Sequence, residues 1–235
     1  MTKDRALPNT MPAEKDAGIS NVSRRKFLSY AGAASGLVLL GSACKKDDDM
    51  PGAGSDGVNL GSGDVGILNY AYALEQLEAA FYIRVIENLY SGISADEQAL
   101  LTDIRDHEIA HREFFKAALG TAAIPGLDVD FSSINFASRD SVLGTAKAFE
   151  DLGVSAYNGA GGLIVSKDYL TLAGKIVSVE ARHAALIRDR ISNGTFVGSD
   201  VIDANGMEMS KSPADVLAIA GMYVKTKINA SNLPS

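Results

Sequence analysis

The sequence predicts an all-α fold: an antiparallel four-helix bundle with a long crossover between its second and third helices and a short C-terminal helix. Three observations predict it. The first is a motif that occurs twice in the same order. Ala71-Tyr72-Ala73-Leu74-Glu75 is followed by Tyr82 seven positions after the Glu, and Ala146-Lys147-Ala148-Phe149-Glu150 by Tyr157 at the same distance. Each is then followed by a Glu-x-x-His, Glu108 to His111 and Glu180 to His183. The second is phase: at about 100° per residue, Ile104, Glu108, His111 and Phe115 share one narrow stripe of a helix. Ile176, Glu180, His183 and Ile187 repeat those offsets, as do Ala71, Glu75, Glu78, Tyr82 and their counterparts Ala146, Glu150, Gly153, Tyr157. The third is punctuation, with Ser, Asn, Gly and Pro closing each amphipathic stretch.

The N-terminal segment reads as an address. Ser23-Arg24-Arg25-Lys26-Phe27-Leu28-Ser29 precedes a Gly/Ala-rich apolar stretch to Ala43, and it resembles a twin-arginine export signal over residues 1–43. Only Ser29 departs from the usual pattern. Such a signal implies export to the periplasm or the cell surface. Cys44 closes the apolar stretch, and Lys45-Lys46-Asp47-Asp48-Asp49 follows, as in bacterial surface lipoproteins. A lipid on Cys44 would anchor the chain to an outer membrane or cell surface. Gly41 stands where a lipobox usually has Leu, and Gly41-Ser42-Ala43 also suits ordinary signal peptidase, so the cleaving enzyme stays open.

Residues 44–64, acidic and Gly-rich, predict a flexible tether. The first helix is expected from about Asp64, read as its N-cap, to about Tyr90, where Ser91-Gly92 stops it. Ser94-Ala95-Asp96-Glu97 opens the second, which runs to Gly120. The short connection makes these two antiparallel neighbours. The non-periodic stretch from Thr121 to Ser138 is long enough to cross the whole bundle. A third helix is expected from about Arg139 to Asn158, extending into the following glycines, and a fourth from about Lys167 to Ser192. The bundle is thus read over 65–193 and a C-terminal extension over 194–235. In that extension Thr195 to Ser212 is turn-rich, and Pro213 opens a last helix to about Ile228.

Composition narrows the partners. The chain has 235 residues, 46% hydrophobic content and a net charge of −7. Without residues 1–43 it keeps 16 Lys/Arg against 26 Asp/Glu, a balance that argues against nucleic acid. One cysteine excludes an internal disulfide.

The stripes place four Glu and two of the three His where a helix normally places core hydrophobes. Unpartnered, each would cost several kcal/mol. A Glu from each of two helices plus Glu-x-x-His from each of two others is the ligand set of a di-metal carboxylate bundle. Carboxylate and imidazole suit two transition-metal ions, iron first, then manganese, with zinc also compatible.

Residues 65–193 resemble the ferritin-like superfamily, in particular exported bacterial ferritin-like domain proteins related to plant desiccation-associated proteins. Glu180-Ala181-Arg182-His183-Ala184 looks like the fourth-helix motif of rubrerythrin-type members, and Glu75 with Tyr82 like the first-helix pair of ferritins. Carried over, the resemblance makes Glu75, Glu108, His111, Glu150, Glu180 and His183 the metal ligands. Glu108 and Glu150 are expected to bridge, and less symmetrically than in the family; which carboxylates bridge stays open. Tyr82 and Tyr157 become hydrogen-bonding neighbours of the ligands, or core-filling rings. Glu78 has Gly153 at the matching phase of the third helix, and is read as a carboxylate using the space that glycine leaves. His107 is expected to flank the site as a hydrogen-bond partner.

The resemblance implies oxidation of metal by O2 or peroxide, in iron oxidation or protection from oxidative stress. A second reading keeps the bundle as a non-catalytic stress-protective or surface-binding scaffold. A third takes His107-Glu108-Ile109-Ala110-His111 as a His-Glu-x-x-His zinc protease. That reading leaves Glu75, Glu150, Glu180 and His183 unexplained, and no third His follows in protease spacing. The helix faces leave open a homodimer; the anchor and tether argue against a closed cage.

Overall fold

The structure, a computed structural model, describes residues 57–235; Arg24, Arg25 and Cys44 lie outside the described residues. Four long helices make the bundle: α1 Gly63–Glu87, α2 Ala95–Leu119, α3 Arg139–Gly161 and α4 Lys167–Ile191. A shorter α5, Pro213–Ala220, follows. Serine hydroxyls start most of them. Ser94, Ser138, Ser166 and Ser212 each accept a hydrogen bond from the backbone N–H three residues on, satisfying a donor that the first helical turn leaves free.

α1 differs from the sequence expectation at its start. Its N-cap is Ser62, and Asp64 sits inside the first turn. The Asp64 carboxylate instead accepts the N–H groups of Val165 and Ser166, both at 2.8 Å, tying the start of α1 to the start of α4. At the other end, Gly92 and Gly120 take positive φ after α1 and α2, the conformation that lets a chain leave a helix without strain.

α1 packs closely on α2, and α3 on α4, giving two antiparallel helical hairpins. α1 and α3 face each other across the centre, where Phe81 stacks edge-on against Phe149 with ring centroids 5.1 Å apart. α1 is buried on nearly every side, with 17 residues inside, which is why its sequence is apolar almost all round.

The stretch between α2 and α3 is the expected crossover. Phe131 and Phe136 fold back onto Phe81, and Asn69 and Gln76 of α1 bond its backbone at Ala122, Ile124 and Leu127. The tail departs from expectation in two places. α5 stops at Ala220 rather than about Ile228, because Gly221–Tyr223 tighten into a 3-10 turn. Ile228–Asn229 then forms a strand, β2, paired in parallel with β1, Val58–Asn59, inside the stretch read as tether. The tail also bonds the crossover, through Asp130 N–H to Tyr223 O and Lys225 N–H to Asp128 O, both 2.8 Å. Among the described residues, no helix is long and apolar enough to cross a membrane.

Candidate metal centre

The middle of the bundle holds what the duplicated motifs place there. Glu75 from α1, Glu108 from α2, Glu150 from α3 and Glu180 from α4 are each 0% exposed. His111 and His183 join them, one turn beyond Glu108 and Glu180 on the same faces. They form two overlapping groups of donor atoms. Glu75, Glu108, His111 and Glu180 converge in one; Glu108, Glu150, Glu180 and His183 converge in the other.

Atom by atom, each imidazole serves one group. His111 Nδ1 lies 2.7 Å from Glu180 Oε1, 3.5 Å from Glu75 Oε2 and 3.7 Å from Glu108 Oε2. His183 Nδ1 lies 2.9 Å from Glu108 Oε1, 3.4 Å from Glu150 Oε2 and 3.6 Å from Glu180 Oε2. Glu108 and Glu180 therefore offer one oxygen to each group, while Glu75 and Glu150 serve one group apiece. This corrects the expectation that Glu150 bridges. The two carboxylates that span both groups belong to the Glu-x-x-His helices, whose antiparallel pairing brings each Glu opposite the other helix's His.

The outer oxygens of the two terminal carboxylates are held by tyrosines, and the pairing is crossed. Tyr82 of α1 donates to Glu150 Oε1 of α3 at 2.5 Å, and Tyr157 of α3 donates to Glu75 Oε1 of α1. Each copy of the Glu-x6-Tyr unit thus orients the carboxylate of the other copy. Glu78 lies where the two units cross: its Oε1 would be 3.0 Å from a Cβ on Gly153, so the carboxylate occupies the space the glycine leaves. Glu78 stands outside both donor groups.

His107 is exposed at the edge of α2, and its Nδ1 lies 2.9 Å from His183 Nε2. Were an ion to take the His183 Nδ1 electron pair, the ring proton would sit on Nε2 and be donated to His107 Nδ1. The position matching His107 on α4 is Val179, so the second imidazole group has a support the first lacks. Among the described residues His107 belongs to neither donor group, and the chelating pair His107/His111 that a zinc protease needs is not formed.

Electrostatics tests whether metal fits. Burial pushes Glu75 well above the usual carboxylate range, against the His111 bond that lowers it, and Glu180 and Glu108 add to the rise. Burial and the neighbouring carboxylates do the same to Glu78. Burial raises Glu150 to about 8, opposed by His183 and reinforced by Glu108. For Glu108 burial is outweighed by the two imidazoles, which bring it down to about 2. Burial would lower His111 and His183, but the surrounding carboxylates lift both to about 12. The cluster thus calls strongly for positive charge. Yet Glu75 Oε2, both oxygens of Glu108 and Glu180, Glu150 Oε2 and both Nδ1 atoms make no aligned hydrogen bond and meet one another only in the close imidazole–carboxylate pairs given above. Buried polar atoms are seldom left so. These are the atoms that converge, and divalent cations satisfy several such donors at once where a proton satisfies one pair. The donor set fits.

Four helices closed over two overlapping carboxylate–imidazole groups fit a di-metal scaffold. The chain belongs to the ferritin-like domain family, whose model matches residues 63–193, more than half of its length. A search of curated proteins finds no match.

The duplicated motifs pointed to all six donors. They did not reveal the crossed tyrosine bonds, for which the equal Glu-to-Tyr spacing on antiparallel helices was the available signal. Nor did they reveal the role of Glu180 in both groups.

Proposed function

We propose that the protein is an exported di-metal carboxylate protein that binds two iron or manganese ions and reacts with O2 or peroxide, in iron oxidation or protection from oxidative stress. One observation carries this reading: Glu108 and Glu180 each offer one oxygen to two adjacent groups, and each group holds its own imidazole. That is provision for two ions a short distance apart. Glu75, Glu108, His111 and Glu180 would hold one ion, and Glu108, Glu150, Glu180 and His183 the other. When bound, such a pair supplies two linked one-electron redox centres next to an oxidant.

The chain's own residues set the conditions. Four ionised carboxylates balance two divalent charges. Tyr82 and Tyr157 hold the terminal carboxylates in place, and burial of all four Glu keeps bulk water from the donors. His107 fixes the tautomer and tilt of His183. Metal analysis of the purified full chain should find about two transition-metal ions per chain. His111→Ala and His183→Ala should each remove about one ion and abolish oxygen-dependent oxidation of added Fe(II). Full metal content in both variants, with a melting temperature indifferent to added metal, would favour the non-catalytic scaffold.

Delivery forms part of the proposal: export through the twin-arginine pathway and anchoring by a lipid on Cys44. Replacing Arg24 and Arg25 by Lys should leave the precursor in the cytoplasm. Cys44→Ala should end incorporation of labelled lipid, and anchoring that survives this change overturns the lipoprotein reading.

A further inference from the structure

Glu78 is a buried carboxyl at the bundle centre that both donor groups leave out. It sits on α1 one turn beyond Glu75 and is 4% exposed. Burial acts on it first, and then the charges of Glu108, Glu180, Glu150 and Glu75; no hydrogen bond or ion pair among the described residues relieves them. Together they hold the group well above the usual carboxylate range, so that it keeps a proton. A buried acid with no partner inside the protein is unusual.

The acid is not sealed in. It lines a narrow recess between α1 and α3, whose other walls are Leu74, Leu77, Phe149, Leu152 and Gly153. The recess opens outward, and the space in it open to the centre of a water molecule is about 10 Å3, close to what one water needs. Among those apolar walls Glu78 is the side chain that such a water can bond. A Cβ on Gly153 would lie 3.0 Å from Glu78 Oε1, so the glycine, unfavourable inside a helix, keeps the acid and its opening clear.

We propose that Glu78 and one water molecule in this recess form a proton path between solvent and the donor cluster, supplying the protons that reduction of O2 or peroxide consumes. The proposal deepens the di-metal reading and rests on it for the destination of the protons. Reduction of one hydrogen peroxide breaks its O–O bond and forms two waters, taking one electron from each of two Fe(II) ions and two protons from solvent. The six donors do not carry those protons while they hold ions, since each gives its electron pair to a cation. Glu78, outside both groups, gives its proton inward and regains one from the water behind it.

The test mixes the Fe(II)-loaded full chain with hydrogen peroxide, without oxygen, and follows the formation of Fe(III). Glu78→Gln, which keeps the shape and removes the acid, should hold two ions yet react about 100-fold more slowly. Glu78→Ala should be as slow and should regain speed with added formate, whose acid form fits the enlarged recess; a merely structural role gives no such rescue. An unchanged rate in Glu78→Gln, loss of an ion from that variant, or no rescue by formate overturns the proposal. Infrared spectra of the metal-free full chain test the opening itself. The carbonyl band lost in Glu78→Gln should shift promptly on transfer to D2O, and slowly in Gly153→Ala, whose methyl closes the recess. A wild-type band that never shifts, or one that shifts as fast in Gly153→Ala, also overturns it. Exchange as expected in a protein found to hold no ions keeps the recess and sinks the di-metal reading; two bound ions with Glu78→Gln at full speed do the reverse.

Discussion

At the residue scale, the six donors divide into two kinds that sequence spacing alone makes look alike. Glu108 and Glu180 reach both groups, whereas Glu75 and Glu150 reach one each. Glu180→Gln should therefore weaken both ions, and Glu150→Gln chiefly the ion bound with His183. Metal content measured on the two variants at equal free metal distinguishes these outcomes; equal losses would contradict the geometry. The tyrosines belong to the same scale. Tyr82→Phe leaves packing intact and frees one oxygen of Glu150, and losing such a support costs roughly 10- to 100-fold in metal affinity. Glu78 and Gly153 explain why the duplication is imperfect. The two positions face each other at the crossing of α1 and α3, and a second carboxylate there would meet the first with no counter-charge.

At the element scale, α3 carries two glycines whose surroundings give opposite expectations. At Gly144 nothing lies within 4 Å of an added Cβ, so Gly144→Ala should stabilise by up to about 1 kcal/mol through helix propensity. At Gly159 a Cβ would lie 1.8 Å from the carbonyl oxygen of Lys211, where the tail runs against the helix and Lys211 N–H bonds Ser155 O. Gly159→Ala should push the tail off and destabilise by about 1–3 kcal/mol. Denaturant midpoints of the two variants shifting in opposite directions is the expected result. Among elements, the four helices were legible from phase and from serine and glycine punctuation, within a few residues at each end. β1 and β2 were not, because two-residue strands so far apart in sequence leave no periodicity to read. The Asp64 cross-link was hidden for a related reason: a carboxylate near a helix start suggests a cap, and only the fold brings Val165 and Ser166 to it. The same limit hid the partner of His107, which was expected to flank the site: His183 lies on another helix.

At the scale of the whole molecule, the cluster makes stability depend on pH and metal together. In the metal-free protein His111 and His183 rise from 6.5 to about 12 on folding. A raised pKa means a contribution fully present below about pH 6.5 and lost progressively as pH rises toward the folded value. Glu150, raised from 4.5 to about 8, acts in the same sense, and its contribution fades between those values. Glu108, lowered to about 2, acts oppositely: its contribution is fully present above about pH 4.5 and is lost only as pH falls toward 2. The metal-free form should therefore lose stability upward from about pH 6.5, while metal binding, which displaces those protons, strengthens. Calorimetry should show the melting temperatures of loaded and metal-free protein diverging from about pH 6 to about pH 8. A constant gap would mean that the ions do not compete with these protons.

Neither hairpin owns a finished set of donors. The α1–α2 hairpin supplies Glu75, Glu108 and His111 but borrows Glu180; the α3–α4 hairpin supplies Glu150, Glu180 and His183 but borrows Glu108. The tyrosines are borrowed across the same seam. On the proposed di-metal reading, an ion arriving early in folding would meet three of its four donors, and full retention would wait until the hairpins have docked in register. Metal capture would thus double as a checkpoint on folding, since only a correctly closed bundle completes either donor group.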